Sequence, residues 1–371
     1  MGKRIAHITT DYKPIFGGAE TYLANLYQTL EAAGYSQRVY QRDMGVKSEE
    51  LVLVPRLPEI LRVGGRGSEL WAYNALLLTK ARQLAAEDLL IVHYPLQFLP
   101  VFWHKRTIVL SHGVEWLQPP VSFNHKLKKK VARFAFDRAK YVVANDTNFF
   151  REMGVALQPK AKMFEEVLPN KWFLPNCVDT DYFRPNAGLD SLRALNPILV
   201  PRNLSFGRGI HLVLEAFALF NQDHPETNLV ITGDIVDQGY FRRVLALVKQ
   251  LKLSAKVFFL GGVPWREMPP VYASAHLTMI PTLFSEGTSL SALESMACGV
   301  ATVSTNAGGL PDLPTILSEI EPKDLCRQML AVYDKRAVVG EQQRREVLAN
   351  YNLVRWQKAW TDVVARALAE D

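Results

Sequence analysis

The sequence predicts an α/β protein made of two doubly wound, Rossmann-like domains that face each other across a cleft. With 371 residues the chain is too long for one compact core and suits two domains of about 150 to 200 residues. Short apolar runs typical of strands alternate with helical stretches, and a proline-rich segment at residues 169–197 separates two such series. We expect a first domain at residues 1–174, a second at 175–352, and a final segment at 353–371.

Each series is predicted to form a parallel sheet, because short strands joined by helices pair in parallel through right-handed crossovers. The first series has strands at residues 4–9, 89–92, 107–110 and 141–144, and helices at 21–33, 73–86 and 126–139. The second series has strands at residues 198–200, 229–232, 256–260, 277–280 and 301–304. Ligands of open α/β sheets bind beyond the carboxyl ends of the strands, so the residues that follow the strands are the candidates for a site.

Composition narrows the class of protein. The chain is 48% hydrophobic and 22% charged, which is typical of an ordered globular protein. Its three cysteines lack C-x-x-C spacing, which argues against a disulfide framework or a metal site and fits a reducing compartment. The longest apolar window, residues 89–103, is interrupted by His93, Gln97 and two prolines, and the first residues lack a signal-peptide pattern. We expect a cytoplasmic protein with no nucleic-acid partner.

The positive charge is concentrated in the first half of the chain. Residues 1–180 contain 24 Lys and Arg against 17 Asp and Glu, and the whole chain carries a net charge of +6. On one predicted helix, Leu127, Val131 and Phe134 recur at the spacing of a core-facing stripe, and basic residues occupy the other face. These basic residues are Lys126, Lys128, Lys129, Lys130 and Arg133. They form either a solvated face or a peripheral contact with the inner face of an anionic membrane, docking without insertion.

The most informative motif places two carboxylates, Glu286 and Glu294, eight positions apart within residues 285–299. The motif follows the predicted strand at 277–280, so Glu286 is expected at a strand-to-helix junction and Glu294 about two turns inside the helix. Such a junction presents backbone N–H groups and the positive end of the helix dipole to an anion. The motif therefore favours a phosphate group as ligand.

Five further elements fall at predicted strand ends. Gly17 and Gly18 precede the first helix, where they would let a ligand approach the backbone closely. His112 follows the third predicted strand, at the edge where ligands bind. Arg202 and Arg208 follow the first strand of the second series, and the rigid donor fork of arginine suits a diphosphate.

The last two elements are turns. The turn Gly261-Gly262 leads to Val263, where the backbone could bind the edge of a base, and the pair Gly308-Gly309 follows the strand after the two-carboxylate motif. Taken singly, each of these elements also fits a bland interpretation, namely an ordinary turn, a structural histidine or an exposed loop arginine.

In this order and spacing, the elements resemble family 4 of the retaining glycosyltransferases, whose fold is GT-B, over nearly the whole chain. The resemblance implies that Glu286 and His112 bind the transferred sugar. It implies that Arg202 and Arg208 bind the donor phosphates, in the positions of the family's Arg and Lys. It also implies that Val263 lies beside the base of the donor and that Glu294 binds its ribose. The residues that the resemblance implies to contact the donor are Gly17, Gly18, Val263, Gly287, Thr288, Ser289, Leu290 and Glu294.

The resemblance extends to the end of the chain. The segment at residues 351–369, with Trp356 and Trp360, is similar to the family's C-terminal helix, which crosses back to pack on the first domain. Two departures affect loop geometry: Cys177 and Pro201 each stand where the family has glycine. Neither departure removes an expected charge.

The activity implied is transfer of a hexose from a nucleoside diphosphate sugar, with UDP-glucose favoured over GDP-mannose, to a hydroxyl of a glycan or lipid-linked acceptor with retention at the anomeric carbon. Arginines and helix-end amides would stabilise the leaving diphosphate, so no cofactor and no metal are expected. The D-x-D sequence of Asp179 and Asp181 lies in the connector and not after a strand. The alternatives are another GT-B enzyme, such as a nucleotide-sugar epimerase or a phosphorylase, and an inactive nucleotide-sugar-binding partner subunit.

Overall fold

A computed structural model of the chain describes residues 2–15, 17–56, 66–114, 116–119 and 122–369. The chain divides into two compact units, one formed by Met1–Pro175 together with Trp356–Asp371 and the other by Asn176–Arg355. These boundaries lie one residue and three residues from the boundaries predicted at 174 and 352.

The first unit contains, among its described residues, an eight-stranded sheet with the order β3-β2-β1-β4-β5-β6-β8-β7. The strands are β1 (Arg4–Ile8), β2 (Ser36–Arg42), β3 (Leu51–Val54), β4 (Leu89–Val92), β5 (Thr107–Ser111), β6 (Tyr141–Ala144), β7 (Glu165–Leu168) and β8 (Lys171–Phe173). The helices are α1 (Gly18–Ala32), α2 (Arg66–Leu77), α3 (Ala81–Leu84), α4 (Phe123–Arg138) and α5 (Thr147–Glu152), with 3-10 turns at Leu78–Lys80 and Pro95–Val101. All strand pairs are parallel except β7 with β8.

The second unit contains a six-stranded, all-parallel sheet with the order β11-β10-β9-β12-β13-β14. The strands are β9 (Pro197–Pro201), β10 (Asn228–Thr232), β11 (Val257–Gly261), β12 (Leu277–Ile280), β13 (Thr302–Thr305) and β14 (Ile316–Ser318). The helices are α6 (Asp190–Arg193), α7 (Ile210–Asp223), α8 (Gln238–Gln250), α9 (Met268–Ala273), α10 (Leu290–Ala297), α11 (Pro322–Tyr333) and α12 (Arg336–Asn350). Short 3-10 turns lie at Phe206–Arg208, Trp265–Glu267 and Leu310–Asp312.

The last helix, α13 (Leu353–Ala369), is assigned to the first unit from Trp356 onward. Trp356 and Trp360 are fully buried there. The Trp360 indole Nε1 donates to the Tyr22 hydroxyl over 2.7 Å, and the ring centroids of Tyr22 and Trp356 are 5.0 Å apart. None of the helices in the described ranges is long and apolar enough to span a bilayer.

The prediction of two doubly wound parallel sheets is confirmed. The predicted strands at 89–92, 141–144 and 277–280 match β4, β6 and β12 in both bounds. These strands are completely buried, as is typical of the central strands of doubly wound parallel sheets, and such strands have nearly continuous apolar sequences. In both sheets the direction of winding reverses beside the first strand, between β1 and β4 and between β9 and β12. The carboxyl edge at such a reversal is where ligands bind.

Two helix predictions need correction. The predicted helix at 73–86 is instead α2 followed by a 3-10 turn and α3; the Thr79 hydroxyl donates to the Leu76 carbonyl there, a local bond that competes with regular helix. On α4 the core-facing stripe is not that of Leu127, Val131 and Phe134. The buried residues are Val131, Ala132, Ala135 and Phe136. Phe134 lies about a third of a turn round the helix from the centre of this stripe and is 39% exposed.

Candidate active site

Arg202 and Glu286 form a buried ion pair at the carboxyl edge of the second sheet. Arg202 follows β9 directly, and Glu286 lies in the loop between β12 and α10; β9 and β12 are neighbours in the sheet. Arg202 Nη2 donates to Glu286 Oε2 and to the hydroxyl of Thr282, whose oxygen lies 3.3 Å from the same carboxylate oxygen. The side chains of Arg202 and Glu286 are 6% and 11% exposed, so the pair is largely removed from water.

Arg208 binds the same carboxylate oxygen from a more exposed position. Its Nη1 donates to Glu286 Oε2, and its side chain is 38% exposed. The next residue, Gly209, has a left-handed φ of 69°, and a side chain there would overlap the carbonyl oxygen of Pro281. This close approach holds the turn that carries Arg208 against the loop that carries Glu286.

The charges in this cluster are unequal. Burial alone would raise the pKa of Glu286, but the charges of Arg202 and Arg208 outweigh it and hold the pKa below its ordinary value. Burial lowers the pKa of Arg202, and the charge of Glu286 opposes this effect. Two guanidinium groups therefore share one ionised carboxylate, and the cluster keeps a net positive charge.

Beside this cluster lie hydrogen-bond donors that have no acceptor in the described part of the chain. Arg202 Nε is buried and has no acceptor among the described residues. Ser289 is the N-cap residue of α10, but its side chain accepts no bond from the first turn of the helix and instead lies 3.4 Å from Arg202 Nη1. The N-terminal amides of α10 and a buried guanidinium N–H thus lie close together, an arrangement that suits an anion.

The loop that carries Glu286 is braced by the glycine pair after β13. Gly308 has a φ of 55°, and a side chain there would overlap the backbone carbonyl of Glu286. The amide of Gly309 donates to that carbonyl over 2.8 Å. On the other side of the loop, Thr288 Oγ1 accepts a 2.7 Å bond from the amide of Asn176. The backbone from Glu286 to Thr288 is therefore held at both ends.

Glu294 is held inside the second unit by two aromatic donors. The Trp265 indole donates to Oε1 over 2.9 Å and the Tyr272 hydroxyl to Oε2 over 2.8 Å. Burial raises the pKa of Glu294, although both hydrogen bonds favour the ionised form. Glu294 is the fifth residue of α10, little more than one turn inside the helix, so the prediction of two turns was wrong. Val263 lies two residues before Trp265. Neither Trp265 nor Tyr272 was predicted from the sequence, because no motif marks them.

The predicted residues of the first unit lie at the carboxyl edge of its sheet. Gly17 is the N-cap residue of α1 with an extended backbone, and Gly18 opens the helix. His112 follows β5 and is partly exposed, and its ring lies edge-on to the ring of Tyr22 of α1 at a centroid distance of 4.7 Å. Burial lowers the pKa of His112 to about 3, so its imidazole is neutral.

The models of two glycosyltransferase families match separate parts of the chain. Glycosyltransferase Family 4 matches residues 16–159, and Glycosyl transferases group 1 matches residues 195–315. The chain belongs to family 4 of the glycosyltransferases. The second match contains Arg202, Arg208, Glu286 and Glu294, and the first contains Gly17, Gly18 and His112.

Curated relatives of this family 4 glycosyltransferase include D-inositol 3-phosphate glycosyltransferase of Corynebacterium jeikeium, which is 25% identical over 80% of the chain and 77% of the relative. A phosphatidylinositol N-acetylglucosaminyltransferase component from Arabidopsis thaliana is 27% identical over 53% of the chain. That match spans 43% of the Arabidopsis protein, less than half of its length.

Solved structures confirm that the glycosyltransferase has the GT-B fold. Sucrose-phosphate synthase from Thermosynechococcus elongatus superposes with a TM-score of 0.82 at 18% identity, covering 99% of both chains. Anabaena HepE in complex with UDP and glucose superposes with a TM-score of 0.76 at 17% identity, covering 98% of this chain and 100% of that one. At these identities the likeness establishes the fold.

The D-x-D sequence of the glycosyltransferase has a structural role in its connector. Asp179 Oδ1 accepts bonds of 3.0 Å from the amides of Asp181 and Tyr182, which caps a turn. Within the described ranges, no group of three or more histidine, cysteine or acidic side chains is placed to hold a metal ion.

The structure accommodates Cys177 and Pro201 at the two positions where the family has glycine. Cys177 is buried and is not among the described non-glycine residues with a left-handed φ, so its side chain fits without backbone strain. Pro201 is the last residue of β9 and pairs in register with Thr232 of β10. The loop then turns at Arg202, which keeps the position that follows the strand.

Proposed function

We propose that this glycosyltransferase moves a hexose from a UDP-hexose, with UDP-glucose favoured, to a hydroxyl of a glycan or lipid-linked acceptor, with retention at the anomeric carbon and without a metal ion. The observation that carries the proposal is the net positive cluster of Arg202, Arg208 and Glu286 beside the uncapped N-terminus of α10. The buried, unpartnered Nε of Arg202 supports an anionic ligand at this place.

The cluster suits the diphosphate of a nucleotide sugar. As the bond between sugar and phosphate breaks, negative charge grows on the leaving phosphate, and fixed donors stabilise it more strongly than mobile water does. Arg202 would supply Nε, and Arg208 would supply the guanidinium donors that do not face Glu286. Together with the amides of α10 they would take the place of a metal ion, and Glu286 would hold the sugar hydroxyls.

The nucleoside end of the donor would lie near Val263 and Glu294. Each oxygen of Glu294 accepts one bond from the protein and has a second lone pair, which ribose hydroxyls could use. Complexes of Anabaena HepE with UDP, and with UDP-glucose, support uridine as the base. A GDP-mannose-dependent mannosyltransferase of Mycolicibacterium smegmatis among the relatives makes GDP-mannose the main competitor.

Transfer assays with labelled UDP-glucose and GDP-mannose would test this proposal, with total lipid and glycan extracts as acceptors. We expect UDP release together with label in an acceptor, and a glycosidic bond of the same anomeric configuration as the donor. Label that stays on the nucleotide as a different sugar would indicate an epimerase, and transfer to inorganic phosphate would indicate a phosphorylase. Tight nucleotide-sugar binding without any transfer would indicate an inactive partner subunit.

A peripheral membrane contact through α4 is a second part of the proposal, because the structure places aromatic and basic side chains on one exposed face. Phe123, Lys126, Lys130 and Phe134 fall within about 80° round the helix. Phe123 is 81% exposed, and the ring of Phe134 lies 6.3 Å from that of Phe102, which is also exposed. Aromatic rings beside lysines suit the headgroup region of an anionic bilayer.

Two other basic residues of α4 have partners within the first unit. Lys129 pairs with Glu152 at 2.8 Å, and Arg133 donates to the carbonyl of Met153 over 2.7 Å. The side chains of Lys126 and Lys130 have no hydrogen bond or ion pair to any described residue. The membrane contact is therefore assigned to Lys126, Lys130 and the two phenylalanines, with Lys128, Lys129 and Arg133 contributing charge only.

Co-sedimentation with vesicles of phosphatidylcholine, with and without phosphatidylglycerol, would test the contact. We expect sedimentation only with the anionic lipid, reduced by salt, and abolished in Lys126→Glu/Lys130→Glu. A charge-matched control is Lys249→Glu/Lys323→Glu, which reverses two exposed lysines of the second unit. Equal sedimentation of all three proteins would return α4 to the role of a solvated helix.

A further inference from the structure

A row of hydrogen-bonded side chains crosses four neighbouring strands of the first sheet and ends at His112. Gln37 lies on β2, His7 on β1, His93 directly after β4 and His112 directly after β5, and these strands are consecutive in the sheet. Gln37 Oε1 is 2.9 Å from His7 Nε2, His7 Nδ1 is 3.2 Å from His93 Nε2, and His93 Nδ1 is 3.4 Å from His112 Nε2. His7 and His93 are fully buried, and His112 is partly exposed.

The hydrogen bond between Gln37 and His7 fixes which partner donates in each bond of the row. Gln37 Nε2 donates to the backbone carbonyl of Tyr27 over 2.8 Å, so Gln37 Oε1 must face His7. An amide oxygen only accepts hydrogen bonds, and the proton of His7 therefore lies on Nε2.

The remaining links follow because all three imidazoles are neutral. Burial lowers the pKa of His7 to about 4 and that of His112 to about 3, and it lowers the pKa of His93 well below its ordinary value. A neutral imidazole has one N–H and one bare nitrogen. With His7 protonated on Nε2, its bare Nδ1 accepts from His93 Nε2, and the bare Nδ1 of His93 accepts from His112 Nε2. His112 is left with a bare Nδ1.

The ring of His112 is also held in place by its neighbours. Tyr22 lies edge-on to it at 4.7 Å, and the ring of Tyr94 lies at 5.5 Å. Over the part of the chain that the structure describes, His112 Nδ1 has no hydrogen-bond partner. A ligand at the carboxyl edge would therefore meet a fixed acceptor.

We propose that His7 and His93 are positioning residues that set the tautomer of His112, so that His112 accepts a hydrogen bond from a hydroxyl of the donor sugar at Nδ1. That the ligand is a sugar rests on the proposed function. The hydroxyl is the donor in this bond, and no proton is transferred.

Nitrogen NMR of the protein labelled with ¹⁵N-histidine would test the tautomer without any ligand, since bare and protonated ring nitrogens have well-separated shifts. The His112 signals are assigned by their loss in His112→Asn. We expect His112 of the unmodified protein to carry its proton on Nε2. A proton on Nδ1 would overturn the proposal, whatever the folding of the variants.

Variants test whether the row sets this tautomer. His93→Leu removes both links and should leave His112 as a mixture of tautomers, whereas His93→Asn, which retains an acceptor near the Nδ1 position, should restore the Nε2–H form. Gln37→Leu removes the acceptor of His7 at the other end of the row, which does not contact His112. This variant should also allow the His112 tautomer with its proton on Nδ1. A His112 spectrum unchanged in folded His93→Leu and Gln37→Leu would contradict the positioning role.

UDP-glucose analogues with one sugar hydroxyl replaced by fluorine test the acceptor role. Fluorine cannot donate a hydrogen bond, so one analogue should bind roughly three- to tenfold more weakly than UDP-glucose to the unmodified protein. The same analogue should show no such loss with His112→Phe. Equal binding of all analogues would overturn the acceptor role. If UDP-glucose itself does not bind, the proposed donor is wrong, while the nitrogen spectra still decide the histidine row.

Discussion

The indole of Trp265 donates to Oε1 of Glu294 over 2.9 Å, and this bond ties the turn after β11 to the helix that begins at the candidate phosphate site. Tyr272 holds the other oxygen. The carboxylate predicted to bind ribose is therefore oriented before any nucleotide arrives, and this preorganisation can be measured.

Glu294→Gln should weaken UDP binding in calorimetry by roughly tenfold or more, because a hydrogen bond to a charged group contributes about 1.5 to 3 kcal/mol. Trp265→Phe keeps the aromatic contact with Tyr182 and removes one donor, so it should weaken UDP binding less. Glu286→Gln is the comparison, since it should depress turnover while UDP affinity changes little. Loss of UDP affinity in Glu286→Gln but not in Glu294→Gln would reverse the two roles.

Arg202 and Arg208 should differ in their tolerance of lysine. Arg202 is buried and uses separate nitrogens for Glu286 and Ser289, which one ammonium group cannot reproduce, so Arg202→Lys should reduce turnover about a hundredfold. Arg208 is partly exposed and uses Nη1 toward Glu286, so Arg208→Lys should stay within about threefold of the unmodified enzyme. Initial rates of donor turnover measure both. Equal losses would show that burial does not distinguish the two arginines.

Gly308→Ala should reduce turnover about tenfold or more, because its methyl group would push the backbone of Glu286 out of position. Gly45→Ala is the matched control: Gly45 also has a left-handed φ, of 78°, but a side chain there meets no atom within 4 Å. The backbone strain of about 1 kcal/mol is common to both variants, so a loss of stability in Gly308→Ala beyond that of Gly45→Ala reports the overlap with Glu286. A turnover loss in both would mean that the overlap with Glu286 is not the cause.

The free energy of unfolding should depend on pH in a way that reveals the ion pair of Glu286 with Arg202. The pKa of Glu286 is lower in the folded protein than its ordinary value of 4.5, so its charge stabilises the fold above that value and this stabilisation is lost as pH falls through the lowered pKa. Urea unfolding near neutral pH should show Glu286→Gln less stable by about 3 kcal/mol, the scale of breaking a buried pair. The difference should shrink in acid.

The control for that measurement is Glu341→Gln, which removes an exposed partner of Arg345 and should change stability by less than about 0.5 kcal/mol. A difference between the unmodified protein and Glu286→Gln that persists unchanged well below the ordinary pKa would mean that the carboxylate charge is not what stabilises this site.

EDTA should leave the initial rate of transfer nearly unchanged if arginines and helix amides carry the phosphate charge. The rate is measured with protein dialysed against EDTA and then supplied with magnesium or manganese. Activity that is lost on dialysis and returns only with one of these ions would contradict the proposed mechanism.

The central strands could be predicted from sequence because they are buried on both faces and apolar throughout, as in β4 and β6. The strand β2 was missed because it contains Gln37 and Gln41, which are buried but satisfied by His7 and by the backbone of Lys13. Buried polar residues that bond across strands have no signature in a hydropathy pattern.

The contacts among the predicted site residues could not be predicted from the sequence. Arg202 and Glu286 were expected to bind different parts of one ligand, and the structure shows them bonded to each other. That contact depends on the adjacency of β9 and β12, which strand spacing alone does not specify. The same holds for His7 and His93, which share a row with His112 only because of the sheet order.

Glu286 provides Arg202 and Arg208 with a counterion from within the second unit. Because one carboxylate oxygen already pairs with both guanidinium groups, a small free anion such as sulfate would have to compete with a carboxylate that is permanently tethered within reach. A ligand that also engages Arg202 Nε and the first amides of α10 does not need to displace Glu286. The negative charge of Glu286 within this positively charged site would therefore favour a larger phosphorylated molecule over a simple anion.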